Sequence, residues 1–188
     1  MYLISLYFDE KTNRLLQRYI DKIAQQTGNT FMIDHQVPPH MTVSAVEARS
    51  AEQLRPAFED LCGRLSQGKI RFVSIGQLLP YVMYVTPVLN EYLQELSRSV
   101  YDAIGDLPET RVSNYYRPFS WLPHVTMGKT LSKEQMAVAF GVLQEVFVPF
   151  DALVTEVGLA KVNPHADIVR TKLRKDSGTG QSLTIAKV

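Results

Sequence analysis

The chain has one cysteine, Cys62, which excludes an internal disulfide and any cysteine-based zinc site. It has almost no charge excess: Lys+Arg 20 against Asp+Glu 19, a formal net charge of +1. Proteins held to duplex nucleic acid by bulk charge neutralise many phosphates. The balance therefore argues against duplex DNA as a partner, but it allows a small basic cleft that grips one or a few phosphates. No apolar run approaches the length needed to cross a bilayer, so no membrane partner is expected. The opening residues, Met1-Tyr-Leu-Ile-Ser-Leu-Tyr-Phe-Asp-Glu10, lack a basic flank and meet charge at Asp9, too early for a signal peptide. These absences point to a cytoplasmic protein. What is present is an apolar fraction of 45% over 188 residues, ample for one large domain or two small lobes.

Two stretches stand out. Val37-Pro-Pro-His-Met-Thr-Val-Ser44 and Trp121-Leu-Pro-His-Val-Thr-Met-Gly-Lys129 each place a histidine and a threonine two residues apart, directly after a proline. On a strand, successive side chains alternate faces, so His40 shares a face with Thr42, and His124 with Thr126.

The surroundings of the two stretches repeat. Tyr2 to Phe8 reads as a strand and Asp9 as the N-cap of a helix carrying Leu15, Leu16, Tyr19, Ile20 and Ile23, ended by Gly28. Phe31 to Ile33 suggests a short strand, and His40 to Val46 the first motif strand. Ser50-Ala-Glu-Gln53 has the form of a capping box before Leu54, Phe58, Leu61 and Leu65. Pro56 requires that helix either to kink or to begin near it. Ile70 to Leu79 reads as a strand. The order then restarts: strand Tyr81 to Thr86, a helix capped by Asn90 and closed by Gly105, a polar and aromatic loop from Pro108 to Ser120, and the second motif strand Leu122 to Gly128. A capping box Ser132-Lys-Glu-Gln135 follows, then a helix, a β-like run Phe150 to Val162, a turn at Asn163-Pro-His165, and a hairpin partner Ile168 to Leu173.

The positions His40 and His124, Ser50 and Ser132, and Asp9 and Asn90 differ by nearly constant offsets. The expected fold is therefore α+β: a bilobal, duplicated β/α unit with pseudo-twofold symmetry whose motif strands line a central cleft. The unit spans 1–175, with lobes of roughly 1–80 and 81–175 that exchange strands or stand apart. Residues 176–188, rich in Gly, Ser and Thr, read as a flexible tail or an edge strand.

A phosphodiester or cyclic phosphate between the two histidines meets suitable chemistry. One neutral imidazole takes a proton from water, and the other, protonated, gives one to the leaving ribose oxygen. The threonine hydroxyls donate to the non-bridging oxygens as charge builds there. No metal is required by this scheme. The paired motifs resemble the His-x-Thr motifs of the two-histidine (2H) phosphoesterase superfamily, and within it the bacterial RNA 2',3'-cyclic phosphodiesterase / 2'-5' RNA ligase family. The resemblance implies a cleft in which His40 and His124 act as acid and base while Thr42 and Thr126 hold phosphate. It also implies an RNA end or a small cyclic nucleotide as substrate, no cofactor, and a monomer. The family often has arginine where this chain has Lys129, and lysine supplies a point charge rather than a bidentate fork.

Lys129 is the cation nearest the second motif, although alternation aims it away from His124. Tyr84, Tyr115, Tyr116, Phe119 and Trp121 are candidates to stack a base, with Trp121 and Tyr116 preferred because they precede His124. Arg170, Lys172 and Arg174 alternate along the last strand as a basic stripe, which is either a charged, protected edge or an RNA-tracking groove. Two rival readings remain: a module that holds a nucleotide or RNA end without turnover, and a histidine-ligated metal hydrolase using His35, His40 and His124. The second lacks carboxylate or cysteine partners at recognisable spacing.

Overall fold

The structure, a computed structural model, describes residues 1–162 and 166–175. The first half of the chain forms β1 (Tyr2–Phe8), α1 (Glu10–Thr27), a single turn α2 (Phe31–Asp34), β2 (Met41–Glu47), α3 (Ala51–Arg64) and β3 (Gly68–Leu78). The second half forms β4 (Val82–Pro87), α4 (Glu91–Ile104), β5 (Arg111–Val112), β6 (Val125–Gly128), α5 (Lys133–Val146), β7 (Phe150–Lys161) and β8 (Ala166–Lys172).

Local chemistry sets the helix ends. The Asp9 carboxylate accepts from the Thr12 amide at 2.9 Å and from the Leu153 amide at 3.1 Å, so one N-cap also ties α1 to β7. Gly28, at φ 69°, takes the left-handed turn that ends α1. Asn90 caps α4 through the Leu93 amide. Leu16, Tyr19, Ile20 and Ile23 form the stripe by which α1 is buried.

All strand pairings between the long strands are antiparallel, and the hydrogen-bonding path runs β1-β2-β6-β4-β3-β7 and returns to β1. β8 lies on the outer edge of β7, and β5 on β2. Exchanging β1 with β4, β2 with β6 and β3 with β7 maps this ring onto itself. The helices obey the same exchange: α1 packs on α5, and α3 on α4, so each helix pair takes one member from each half. The repeat inferred from the motif offsets is thus present as an internal twofold of connectivity. Its core includes Phe8 and Phe72, with the partly buried Phe150 packed against them; ring centroids are 5.8 Å apart for Phe8–Phe72 and 5.0 Å for Phe72–Phe150, where β7 bridges β1 and β3. Such aromatic pairs contribute about 0.5–1.5 kcal/mol each beyond their burial.

Several expectations need correction. Phe31 to Ile33 is helical, because the Asn29 side chain accepts from the Phe31 amide and the Thr30 carbonyl accepts from Ile33 and Asp34, closing a turn instead of joining a sheet. Of the two alternatives for α3, a start near Pro56 is excluded: the helix begins at Ala51 and runs through the proline. Both motif strands start one residue after their histidine, at Met41 and Val125, since Pro39 and Pro123 lack the amide that would extend the ladder upstream. The loop from Pro108 to Ser120 contains β5 and a 3-10 turn at Asn114–Tyr116. The expected turn at Asn163-Pro-His165 and the tail 176–188 lie outside the described residues.

The two capping boxes differ. Ser132 and Gln135 form a reciprocal pair, whereas Ser50 makes no side-chain cap bond and Gln53 instead accepts from the Arg49 amide. Ser132→Ala should therefore lower unfolding free energy by about 1 kcal/mol, while Ser50→Ala should stay within about 0.5 kcal/mol; urea unfolding of both variants measures the contrast.

Candidate active site

The two motif strands meet at one bridge, Met41 opposite Val125. Both residues are fully buried, so their neighbours along each strand point to the other face. Carrying the antiparallel register one step either way sets His40 opposite Thr126 and Thr42 opposite His124. The four side chains thus form a rectangle on one face. The two histidines lie on its diagonal, roughly 7–8 Å apart at the backbone, the spacing of diagonal cross-strand neighbours. Both imidazoles are half-buried, as is Thr126, while Thr42 lies deeper at 8% exposure with its hydroxyl 3.4 Å from that of Ser5.

Each imidazole is held in the same way. His40 Nδ1 lies 2.8 Å from the Pro38 carbonyl, and His124 Nδ1 lies 2.9 Å from the Leu122 carbonyl. A carbonyl oxygen only accepts, so Nδ1 carries the hydrogen in both rings and Nε2 is the nitrogen that gains or loses a proton. Burial pushes the His124 imidazole below its ordinary value of 6.5, against the opposing pull of the Leu122 carbonyl. The neutral form is therefore favoured there near pH 7.

Each histidine also has a tyrosine beside it. The Tyr84 ring lies 5.3 Å from that of His124, and the Tyr7 ring 6.2 Å from that of His40. Both tyrosines lie over a glycine of the adjoining strand. A Cβ on Gly76 would stand 2.5 Å from the Tyr84 ring, and one on Gly158 would stand 2.8 Å from Tyr7. Gly76 and Gly158 differ by an offset close to that of the motifs, a signal that could have revealed these positions from the sequence. Tyr7 was missed by that reading, although it sits one alternation beyond Ser5.

The remaining candidates are placed differently. Trp121 is only 7% exposed, and its indole N–H donates to the Thr42 carbonyl at 2.9 Å. It braces the approach to His124 against the first motif strand and has no open face for a base. Tyr116 is packed against the core, and burial raises its phenol pKa. The aromatic ring in contact with His124 is that of Tyr84, the stacking candidate placed next to the motif histidine. Lys129 follows the last residue of β6 and holds its ammonium 5.6 Å from the Phe31 ring centroid. Tyr115 and Phe119 are more than four-fifths exposed, and Arg98 lies over Phe119. His35 stacks on Phe31 with centroids 4.1 Å apart. Among the described residues no group of three or more histidine, cysteine or acidic side chains converges as a metal site would require. No helix among them is long and apolar enough to cross a membrane.

Known proteins share this arrangement of elements. The structure aligns with E. coli LigT complexed with 3'-AMP at a TM-score of 0.56 and 17% identity, covering 92% of this chain and 97% of that one. LigT complexed with NADP+ gives 0.53 at 16% identity, covering 92% and 96%. TT0787 of Thermus thermophilus gives 0.58 at 16% identity, covering 93% and 98%. At such identities these likenesses speak for the fold. A search of curated proteins gives no match. The sequence model of the 2'-5' RNA ligase superfamily, however, matches residues 13–165, most of the length and both His-x-Thr motifs, and the chain therefore belongs to that superfamily of phosphoesterases and ligases.

Proposed function

We propose that this protein is a metal-independent phosphoesterase that hydrolyses 2',3'-cyclic phosphate ends of RNA or of small nucleotides. The observation that carries the reading is the diagonal pair of histidines, each fixed by the same Nδ1–H···O=C bond. A substrate phosphorus between them meets Nε2 of both rings. Two structural neighbours, LigT complexed with 3'-AMP and with NADP+, hold ribose phosphates, which supports a substrate of that kind.

The steps follow from the surroundings. His124, kept neutral by burial, takes a proton from water through Nε2 as the water oxygen bonds to phosphorus. The bond from phosphorus to one ribose oxygen breaks, and His40 in its protonated form donates from Nε2 to that oxygen. Thr42 and Thr126, directly opposite the two histidines, donate to the non-bridging oxygens as negative charge accumulates. Run in reverse, the same groups join a hydroxyl to a cyclic phosphate and make a 2'-5' linkage without a nucleotide cofactor. The reading takes the protein as a cytoplasmic monomer, and Lys129 as a phosphate contact only if it leaves Phe31.

His40→Ala and His124→Ala should each lower kcat on a 2',3'-cyclic nucleotide by about 10²–10⁴-fold with unfolding midpoints preserved; full activity in either variant defeats the reading. Thr126→Val should cost roughly 100-fold in kcat.

The profile of kcat/KM against pH should be a bell whose two apparent values belong to the coupled pair. Because the folded value of His124 lies below 6.5, its acid limb should fall below 6.5. The same sign makes His124 a source of acid sensitivity. The unfolded chain binds its proton first, so stability contributed by the neutral ring is lost as pH drops from 6.5 toward the lowered value. Activity should survive dialysis against a chelator, and a strict divalent-metal requirement would favour the histidine-ligated hydrolase instead.

A further inference from the structure

β8 has no counterpart in the exchange that relates the two halves. It pairs with the outer edge of β7, and among the described residues no strand occupies the equivalent edge of β3. Its register carries one residue toward the site. Thr42 stands opposite Ser5, Ser5 opposite Gly158, and Gly158 opposite Arg170. Residues directly opposite share a face, so Arg170 projects from the face that bears the motif side chains.

Its side chain is held in a defined plane. The guanidinium carbon lies 3.6 Å from the centroid of the Tyr7 ring, a stacked cation–π contact. Asp167 accepts from it at 3.0 Å, and Glu156 lies at 4.0 Å. Gly158 clears the space in which Tyr7 lies, since a Cβ there would meet the ring at 2.8 Å. Tyr7 is 2% exposed, whereas the Arg170 side chain is 33% exposed, so the guanidinium is what a ligand meets. The ring-to-ring distance of 6.2 Å and the 3.6 Å stack keep the guanidinium no more than about 10 Å from the His40 ring. Beside it opens a concavity of about 290 Å³ lined by Tyr7, Asn13, Arg14, Gln17, Arg170 and the two prolines that lead into His40.

Two occupants suit an arginine near a phosphoesterase site: a second phosphate and a base. Among the described residues Arg170 already faces two carboxylates, Asp167 and Glu156, which offset its own charge toward a phosphate. A flat guanidinium held on an aromatic ring and edged by prolines is instead a stacking surface, of the kind on which unstacked bases lie. We propose that Arg170, laid on Tyr7, is the base platform of the site, taking the base whose ribose phosphate lies between His40 and His124. This rests on the phosphoesterase reading and adds to it a substrate class, cyclic phosphates that carry a base, and a direction. The ribose lies on the His40 side, so the departing ribose oxygen faces His40 and the attacking water comes from the His124 side.

The test compares Arg170→Ala, Arg170→Lys and Arg170→Gln with the unmodified chain. Two readouts are used: calorimetric binding of adenosine 3'-monophosphate, and turnover of adenosine, uridine and base-free ribose 2',3'-cyclic phosphates. The Kd for the adenosine compound should rise about tenfold in Arg170→Ala and Arg170→Lys, and clearly less in Arg170→Gln, which keeps a planar group. KM for the adenosine substrate should rise with it while kcat changes less than about threefold, and the base-free substrate should be unaffected. Wild-type binding by Arg170→Lys would make the group a phosphate charge and overturn the proposal. An equal loss on the base-free substrate, or a fall in thermal midpoint that accounts for the binding loss, would make it structural and overturn it equally. If the unmodified chain binds the monophosphate with the expected Arg170 dependence yet turns over none of the substrates, the catalytic reading fails while the platform stands.

Discussion

The site depends on one short seam, the bridge of Met41 to Val125. β2 and β6 bond there and scarcely elsewhere, because prolines stop both strands upstream and β6 ends at Gly128. The seam is fixed by burial of the odd-numbered residues: Met41, Val43, Val125 and Met127 are all within the core. A slip of one residue would send these four to the cleft and the histidines into the core. The face that bears the two histidines and two threonines is therefore specified by hydrophobic side chains on the opposite face. Trp121 reinforces the seam by bonding the chain before His124 to the Thr42 carbonyl.

The prolines also serve the electrostatics. By ending each strand they leave the histidine in a turn where Nδ1 reaches the carbonyl two residues back. Without that bond either tautomer would be populated, and the Nε2–H form would present a hydrogen where a lone pair is needed. One sequence feature, proline before histidine, thus sets both the boundary of the strand and the tautomer of the ring.

The repeat was legible because it was written several times, in motifs, caps and element order, and each copy could be checked against the others. The juxtaposition of His40 and His124 was legible for the same reason, since the two motif strands meet at one bridge. Phe31 to Ile33 was misread because a three-residue apolar run carries no period, and the polar caps at Asn29 and Thr30 decided it. Trp121 and Tyr116 were preferred as stacking residues on proximity in sequence. Proximity along the chain says nothing about which way a side chain turns in a loop, and both turn inward. Tyr7 and Arg170 come together from opposite ends of the chain through β7, a pairing that no local pattern announces.

Exact symmetry would be a defect in the proposed reaction. Two equivalent histidines cannot decide which gives and which takes the proton, and a substrate could lie either way between them. The departures from the repeat supply the missing direction. On one side β8 adds Arg170, Asp167 and the stack on Tyr7 beside His40. On the other, Tyr84 stands over His124, and burial disfavours the charged ring there. A duplicated frame gives the geometry of two opposed imidazoles; the extra edge strand β8 beside one and the Tyr84 ring beside the other give them different surroundings. The asymmetry worth tracing is therefore in what surrounds the histidines, since their own hydrogen bonds to Pro38 and Leu122 are alike to within 0.1 Å.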